Sequence, residues 1–267
     1  MVLPGGPGGR VGRCRNIVRT GRPKGGPFGF SVPGRLWPMP KSLRPRSGAR
    51  PRGTPSRRAE LPRDVMEEVR RGARPADQAQ AVSRVGRAIE LLERGDARGA
   101  VVEAEKAKLL SPRTAAAREV LGLAYYGAGR WQDAVNELKA YRRLSGRADQ
   151  NHLIADSLRA LGRPTDAIPL VEEELRGPAT NEAKAEAVVV GAASLADQGR
   201  FPEALAFLGR AKTRADVAEP YTLRLWYVRG DVLERAGRRD EAAAEFRKVV
   251  RHDPAAFDAA ERLAQLS

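Results

Sequence analysis

Cysteine is nearly missing from this chain: Cys14 stands alone among 267 residues. An internal disulfide and any multi-thiolate zinc site are therefore excluded, and cysteine usage says nothing of the redox compartment. Histidine is almost as scarce, with His152 and His252 the only imidazoles. Long apolar runs are missing too. The nearest, residues 187–196, is bounded by Glu186 and Asp197 and falls short of the ~18 residues of a membrane span. No transmembrane helix is expected. Gly, Pro and Arg interrupt every apolar run in the first 30 residues, so no signal-peptide core is present. A cytoplasmic location is the expectation.

Acidic residues are absent from residues 1–59, which hold 14 Lys and Arg, whereas residues 60–267 hold 34 basic and 33 acidic side chains. The net charge of +15 thus belongs to a tail. The nearly neutral body gives no charge-based reason to bind nucleic acid. The tail also contains 12 Gly and 10 Pro, leaving too little apolar surface to offset the entropy of ordering it. Residues 1–59 are predicted to be a disordered basic tail. Its arginines, interleaved with Phe28, Phe30 and Trp37, have the chemistry to neutralise phosphates and stack on unpaired bases. The same composition also reads as a solvated linker, or as sequence upstream of a true start at Met39 or Met66.

What is abundant is a cadence. Gly followed five residues later by Ala recurs as Gly95/Ala100, Gly129/Ala134, Gly162/Ala167, Gly199/Ala204 and Gly237/Ala242, at intervals of 34, 33, 37 and 38 residues. Apolar residues continue from each pair at helical spacing, as in Trp131, Ala134, Val135, Leu138 and Tyr141. A second apolar stripe precedes each Gly. Each unit is therefore predicted to be two helices, with Gly closing the first in a left-handed conformation and Ala permitting a close crossing. The longer intervals imply extra loop around residues 177–180 and 212–220.

This pattern resembles the tetratricopeptide repeat, a degenerate motif of two antiparallel helices. The last unit carries Trp226, Gly230, Leu233, Gly237, Ala242, Phe246 and Pro254 at the family's intervals. The second carries Leu121, Gly122, Tyr125, Gly129 and Ala134, and the first keeps Ala100, Ala107 and Pro112. The third and fourth depart further, with Ala155 and Ala192 where the family prefers Gly or Ala and with Pro169 inside a second helix. Residues 138–164 also resemble a group of bacterial repeat proteins with Arg/Gly-rich N-termini and no assigned activity. The resemblance implies an all-α solenoid of about five helix pairs over residues 80–267, stacked around a continuous dry interior. Residues 60–79 form a junction with a short opening helix, and residues 255–266 suit a closing helix through Phe257, Ala260, Leu263 and Leu266.

Catalytic patterns are missing: no Walker loop, no paired His with Glu at i, i+4, and no GxSxG elbow occurs. His252 ends a helix, where its imidazole suits the dipole. The run Glu172, Glu173, Glu174 reads as a solvated face, because consecutive helical positions diverge. Neither an enzyme nor a cofactor is expected.

In this repeat class the first helices line a concave groove. Carried over by position, its contacts are Glu119, Leu123 and Tyr126, then His152, Asp156 and Arg159, then Arg224, Tyr227, Asp231 and Glu234. Mixed charge with two tyrosines suits a protein or peptide partner; alternatively, Tyr126 and Tyr227 pack between units. The basic clamp with which some family members hold chaperone tails is absent. The expected function is a protein-interaction scaffold. The rival is an RNA- or ribosome-associated factor that uses the tail.

Overall fold

The computed structural model describes residues 61–211 and 220–266, and every regular element among them is helical. The expectations for residues 1–59, and for most of the loop at 212–220, lie outside the described residues. The described residues form, in order, α1 Arg63–Gly72, α2 Gln78–Glu93, α3 Ala97–Leu110, α4 Ala115–Gly127, α5 Trp131–Ser145 and α6 Asn151–Ala160. Then come α7 Pro164–Arg176, α8 Asn181–Asp197, α9 Phe201–Leu208, α10 Pro220–Arg235, α11 Arg239–His252 and α12 Ala259–Leu266.

The hairpins are α2/α3, α4/α5, α6/α7, α8/α9 and α10/α11, each packed on its sequence neighbours, with α12 against α11. Their turns share one chemistry. Gly95, Gly129, Gly162, Gly199 and Gly237 all have φ between 73° and 80°, a region where a Cβ would be penalised. In each turn the amide after the glycine reaches five residues back, as Arg130 N–H does to the Tyr125 carbonyl at 2.9 Å. The glycine amide reaches three back, as Gly129 does to Tyr126 at 3.0 Å. This double closure satisfies carbonyls that the helix end leaves open.

Five residues on, Ala100, Ala134, Ala167, Ala204 and Ala242 have no exposed surface, as expected where helix crosses helix. The partner side of the crossing is as tight. A Cβ on Gly230 would lie 2.7 Å from Phe246 Cε1, and one on Gly122 would lie 2.6 Å from Leu138 Cδ2. The fourth unit sets Gly191 against the Phe207 ring with the same lack of room for a Cβ, one position before the expected Ala192, which is itself fully buried. Leu121, Leu138, Leu153 and Ile154 are also fully enclosed, and each such side chain contributes roughly 1.5–3 kcal/mol.

Three sequence expectations need correction. The closing helix starts at Ala259 rather than Ala255, because Ala255 N–H turns onto the Asp253 carboxylate and Phe257 adopts φ 58°. Glu174 is not solvated: α7 turns it inward, with no exposed surface, while Glu172 meets Arg210 and Glu173 meets Arg142. The interior is not continuously apolar. Two apolar clusters, one from α1 to α6 and one from α6 to α12, share Leu170 at their boundary. Where they meet, α6 buries Asn151, His152, Asp156, Ser157 and Arg159. Pro169, by contrast, sits inside α7 without ending it.

Candidate binding face

The first helices of successive hairpins share one face, and side-chain caps mark where α4 and α8 begin. The N-terminus of α4 is capped from outside its own hairpin. Glu68 of α1 accepts from Ala115 N–H at 2.6 Å and Ala116 N–H at 3.3 Å, an acidic group placed where helix amides point outward. Thr180 caps α8 by accepting from Ala183 N–H at 3.2 Å.

A ladder of polar side chains crosses this face from unit to unit. Tyr126 on α4 donates its hydroxyl to Asp156 on α6 at 2.6 Å. Arg159, one turn along α6, donates to Asp156 at 2.6 Å and to Asp197 at the end of α8 at 2.8 Å. Arg235 on α10 also reaches Asp197, at 3.2 Å, and lies 3.6 Å from Asp231. Arg262 of α12 completes the run, lying 3.0 Å from Asp231, donating to Glu234 at 2.9 Å and to the Tyr227 hydroxyl at 3.0 Å. Tyr227 in turn donates to Asp258.

A second row lies beside the first. Gln150 donates to Glu119 at 2.8 Å, and Arg224 of α10 donates to Glu186 of α8 at 3.2 Å. His152 is held twice by Glu174: its backbone N–H donates at 2.6 Å, and its Nδ1 lies 2.7 Å from the other carboxylate oxygen.

Burial tunes these groups. It raises the Asp156 carboxyl above the ordinary range, even against Arg159 and the Tyr126 hydroxyl, and raises Glu186 against Arg224. The Tyr126 phenol is pushed well up, first by burial and then by the Asp156 charge. Burial opposes protonation of His152, but the Glu174 carboxylate and its hydrogen bond outweigh that and leave the imidazole more basic than usual.

All ten residues assigned to the groove by position lie on α4, α6 and α10. Glu119, Leu123, His152, Asp156, Arg159 and Tyr227 are buried, whereas Tyr126, Arg224, Asp231 and Glu234 keep partial exposure. Tyr227 packs against Phe246 and Phe257, with ring centroids at 5.5 and 4.7 Å. Tyr126 meets Trp131 edge-on at 5.4 Å. The distal His252 stacks on Trp226 at 5.3 Å. Sequence reasoning misses Glu186, Asp197, Arg262 and Asp258. Only Glu186 had a readable signal, since it occupies in the fourth unit the position Arg224 holds in the fifth.

Among the described residues, no group of three or more His, Cys, Asp and Glu could hold a metal ion, and no helix is long and apolar enough to cross a membrane.

Comparison with known proteins bears on the fold. Comparison with curated proteins finds no match. A solved structure of TTC0263, a thermophilic TPR protein of Thermus thermophilus, is 17% identical, with a TM-score of 0.56 over 70% of this chain and 98% of that one. Human IFIT1, solved as a dimer with m7Gppp-AAAA, is 14% identical, with a TM-score of 0.55 over 76% of this chain and 51% of that one. At such identities the likeness is one of fold alone. Sequence models described as tetratricopeptide repeat match residues 85–149, 152–219 and 223–266. With five stacked hairpins, their glycine turns and these matches together, the chain belongs to the tetratricopeptide-repeat family.

Proposed function

We propose that the protein is a non-catalytic scaffold that holds an extended segment of a partner protein along the first-helix face. The observation that carries this reading is the arrangement of Tyr126, Arg224, Asp231 and Glu234. These side chains remain partly exposed on α4 and α10 while their deeper neighbours are fixed by the ladder. Donors and acceptors already oriented by buried partners lose little freedom on binding, which favours recognition of a backbone and its side chains. The mixture of an aromatic hydroxyl with both charge signs suits a peptide better than a run of phosphates. The fold itself supports an interaction role in general.

The test pans a library of unstructured peptides on the full chain and on a variant carrying Tyr126→Ala, Arg224→Ser and Asp231→Ser. Selected peptides should bind the native face and lose at least about tenfold in affinity on the variant, roughly 1.4 kcal/mol. Equal binding to both chains would remove the face from the function.

A further inference from the structure

We propose that α1 is a displaceable internal ligand, and that the groove it fills across α2 and α4 is a second binding site, one that takes an amphipathic helix of a partner protein when α1 leaves. This site lies in the first two hairpins and does not depend on the extended segment proposed above.

The first observation is where α1 sits. In the stack α3 packs on α4, α5 on α6 and α7 on α8, and among the described residues none of these second helices packs likewise on the first helix one unit further along. α1 does, for it lies on both α2 and α4. It does not take the place that the second helix of a preceding hairpin would fill. The flank of α2 agrees. Where α4 fully buries Leu121, α2 carries Arg87, 34 residues earlier and with 50% of its side chain exposed. The side of α2 that a preceding hairpin would cover is open, while its groove side is closed.

The second is what closes it. Shifted by the same 34 residues, the groove positions Glu119, Leu123 and Tyr126 of α4 become Val85, Ile89 and Leu92 of α2, an aliphatic row. Val85 and Ile89 have no exposed surface and Leu92 is 6% exposed. They share one apolar cluster with Leu61, Val65, Val69 and Ala73, a set spaced four residues apart and so aligned as one stripe in and beside α1. A single carboxylate fixes the register: Glu68 accepts from Ala115 N–H at 2.6 Å, at the positive end of α4. The resident helix thereby specifies its replacement, a helix with aliphatic side chains at every fourth position and a glutamate just before the third of them, which is recognition of an amphipathic helix in an apolar groove.

The third is how lightly α1 is built. It has 10 residues, fewer than the roughly 12–15 at which an isolated helix becomes even marginal in water. Pro62 precedes it and no side chain caps its first turn. Arg63, Asp64, Glu67, Arg70 and Arg71 face solvent, and among the described residues its side-chain hydrogen bonds to the hairpins are the two that Glu68 accepts. α1 therefore keeps its shape only while docked. Residues 73–77 link it to α2, so an undocked α1 stays close, at an effective concentration of about millimolar. A partner helix then meets an affinity reduced by the fraction of chains whose groove is open.

The test uses the full chain. Val65→Ser and Val69→Ser together weaken the α1 stripe and leave every residue of α2 and α4 unchanged. The probe is a fluorescein-labelled peptide with the sequence of residues 61–74, whose anisotropy is titrated with both chains. It should bind the double variant at least about tenfold more tightly than the native chain. A peptide carrying the same two serines should not bind, and one carrying Glu68→Gln should bind severalfold more weakly. In the native chain, amides of α1 should exchange with deuterium at least about tenfold faster than the slowest amides of α2 and α4. Equal affinity for the two chains, no binding to the variant, or exchange of α1 only together with α2 and α4 would overturn the proposal. Loss of the variant's cooperative melt would overturn it too, because α1 would then be part of the core. Dimers of the native chain that exchange α1 between copies would overturn the foreign partner in favour of a second copy. The scaffold reading is tested on a different variant, so the two fail separately.

Discussion

Two glycine-to-alanine substitutions, chemically identical, should move stability in opposite directions. Gly230 lies in α10, where an added Cβ would sit 2.7, 2.9 and 3.0 Å from three carbons of the Phe246 ring. That ring cannot swing aside: it has no exposed surface, meets Tyr227 at 5.5 Å and carries Arg262 at 4.6 Å over its face. Overpacking of this kind costs roughly 1–3 kcal/mol, and the helix-propensity gain of alanine returns about 1 kcal/mol. Gly230→Ala should therefore be net destabilising by about 1 kcal/mol, a fall of roughly 2–4 °C in Tm for an array of this size. Gly86 is also inside a helix, α2, but its added Cβ meets nothing within 4 Å. Gly86→Ala should stabilise by about 0.5–1 kcal/mol. Denaturant titrations and thermal melts followed by circular dichroism measure both, and a cycle with Phe246→Leu isolates the contact. If Gly230→Ala matches Gly86→Ala in sign and size, the helices of the last hairpin cross more loosely than described.

The polar ladder is equally testable. Arg159→Met leaves Asp156 and Asp197 without the guanidinium they share, and should cost about 3 kcal/mol or more, because breaking a buried pair strands a charge; a loss below about 1 kcal/mol would show that solvent replaces the arginine. The raised basicity of His152 fixes the sign of a pH effect. The stability its protonated form supplies is fully present below about pH 6.5 and is lost as pH rises through the higher folded value. The Tm advantage of the native chain over His152→Gln should thus shrink as pH rises above about 6.5, and an advantage that grows with pH would refute the charged pair with Glu174.

The hairpins were legible because two geometric demands leave few residue choices. A left-handed turn selects glycine at Gly95, Gly129, Gly162, Gly199 and Gly237, and a close crossing selects Ala100 through Ala242. Both demands act within a few residues, so a linear text records them. The face was legible only as positions. That Tyr126 meets Asp156, or that Arg224 meets Glu186, depends on side chains 30 and 38 residues apart, a relation set by stacking geometry rather than by local pattern. Glu174 illustrates the same gap. In the sequence it is the last of three consecutive glutamates, and only the rotation of α7 distinguishes it as the partner of His152. The late start of α12 follows from one local bond, at Asp253, that composition does not signal.

Because the ladder crosses from unit to unit, from Tyr126 to Asp156, from Arg159 to Asp197 and from Arg235 to Asp197, the hairpins are not interchangeable bricks. Asp156 is complete only with Tyr126 before it, and Arg159 only with Asp197 after it. Exchanging the third and fourth hairpins, or splicing in a duplicate of either, would preserve every glycine turn and every alanine crossing while orphaning buried charges at the altered seams. Such an array would keep its helical content and lose its order of assembly. Lengthening by duplication is thereby constrained at every seam the ladder crosses, including the last, where Arg262 of α12 closes on Asp231 and Glu234.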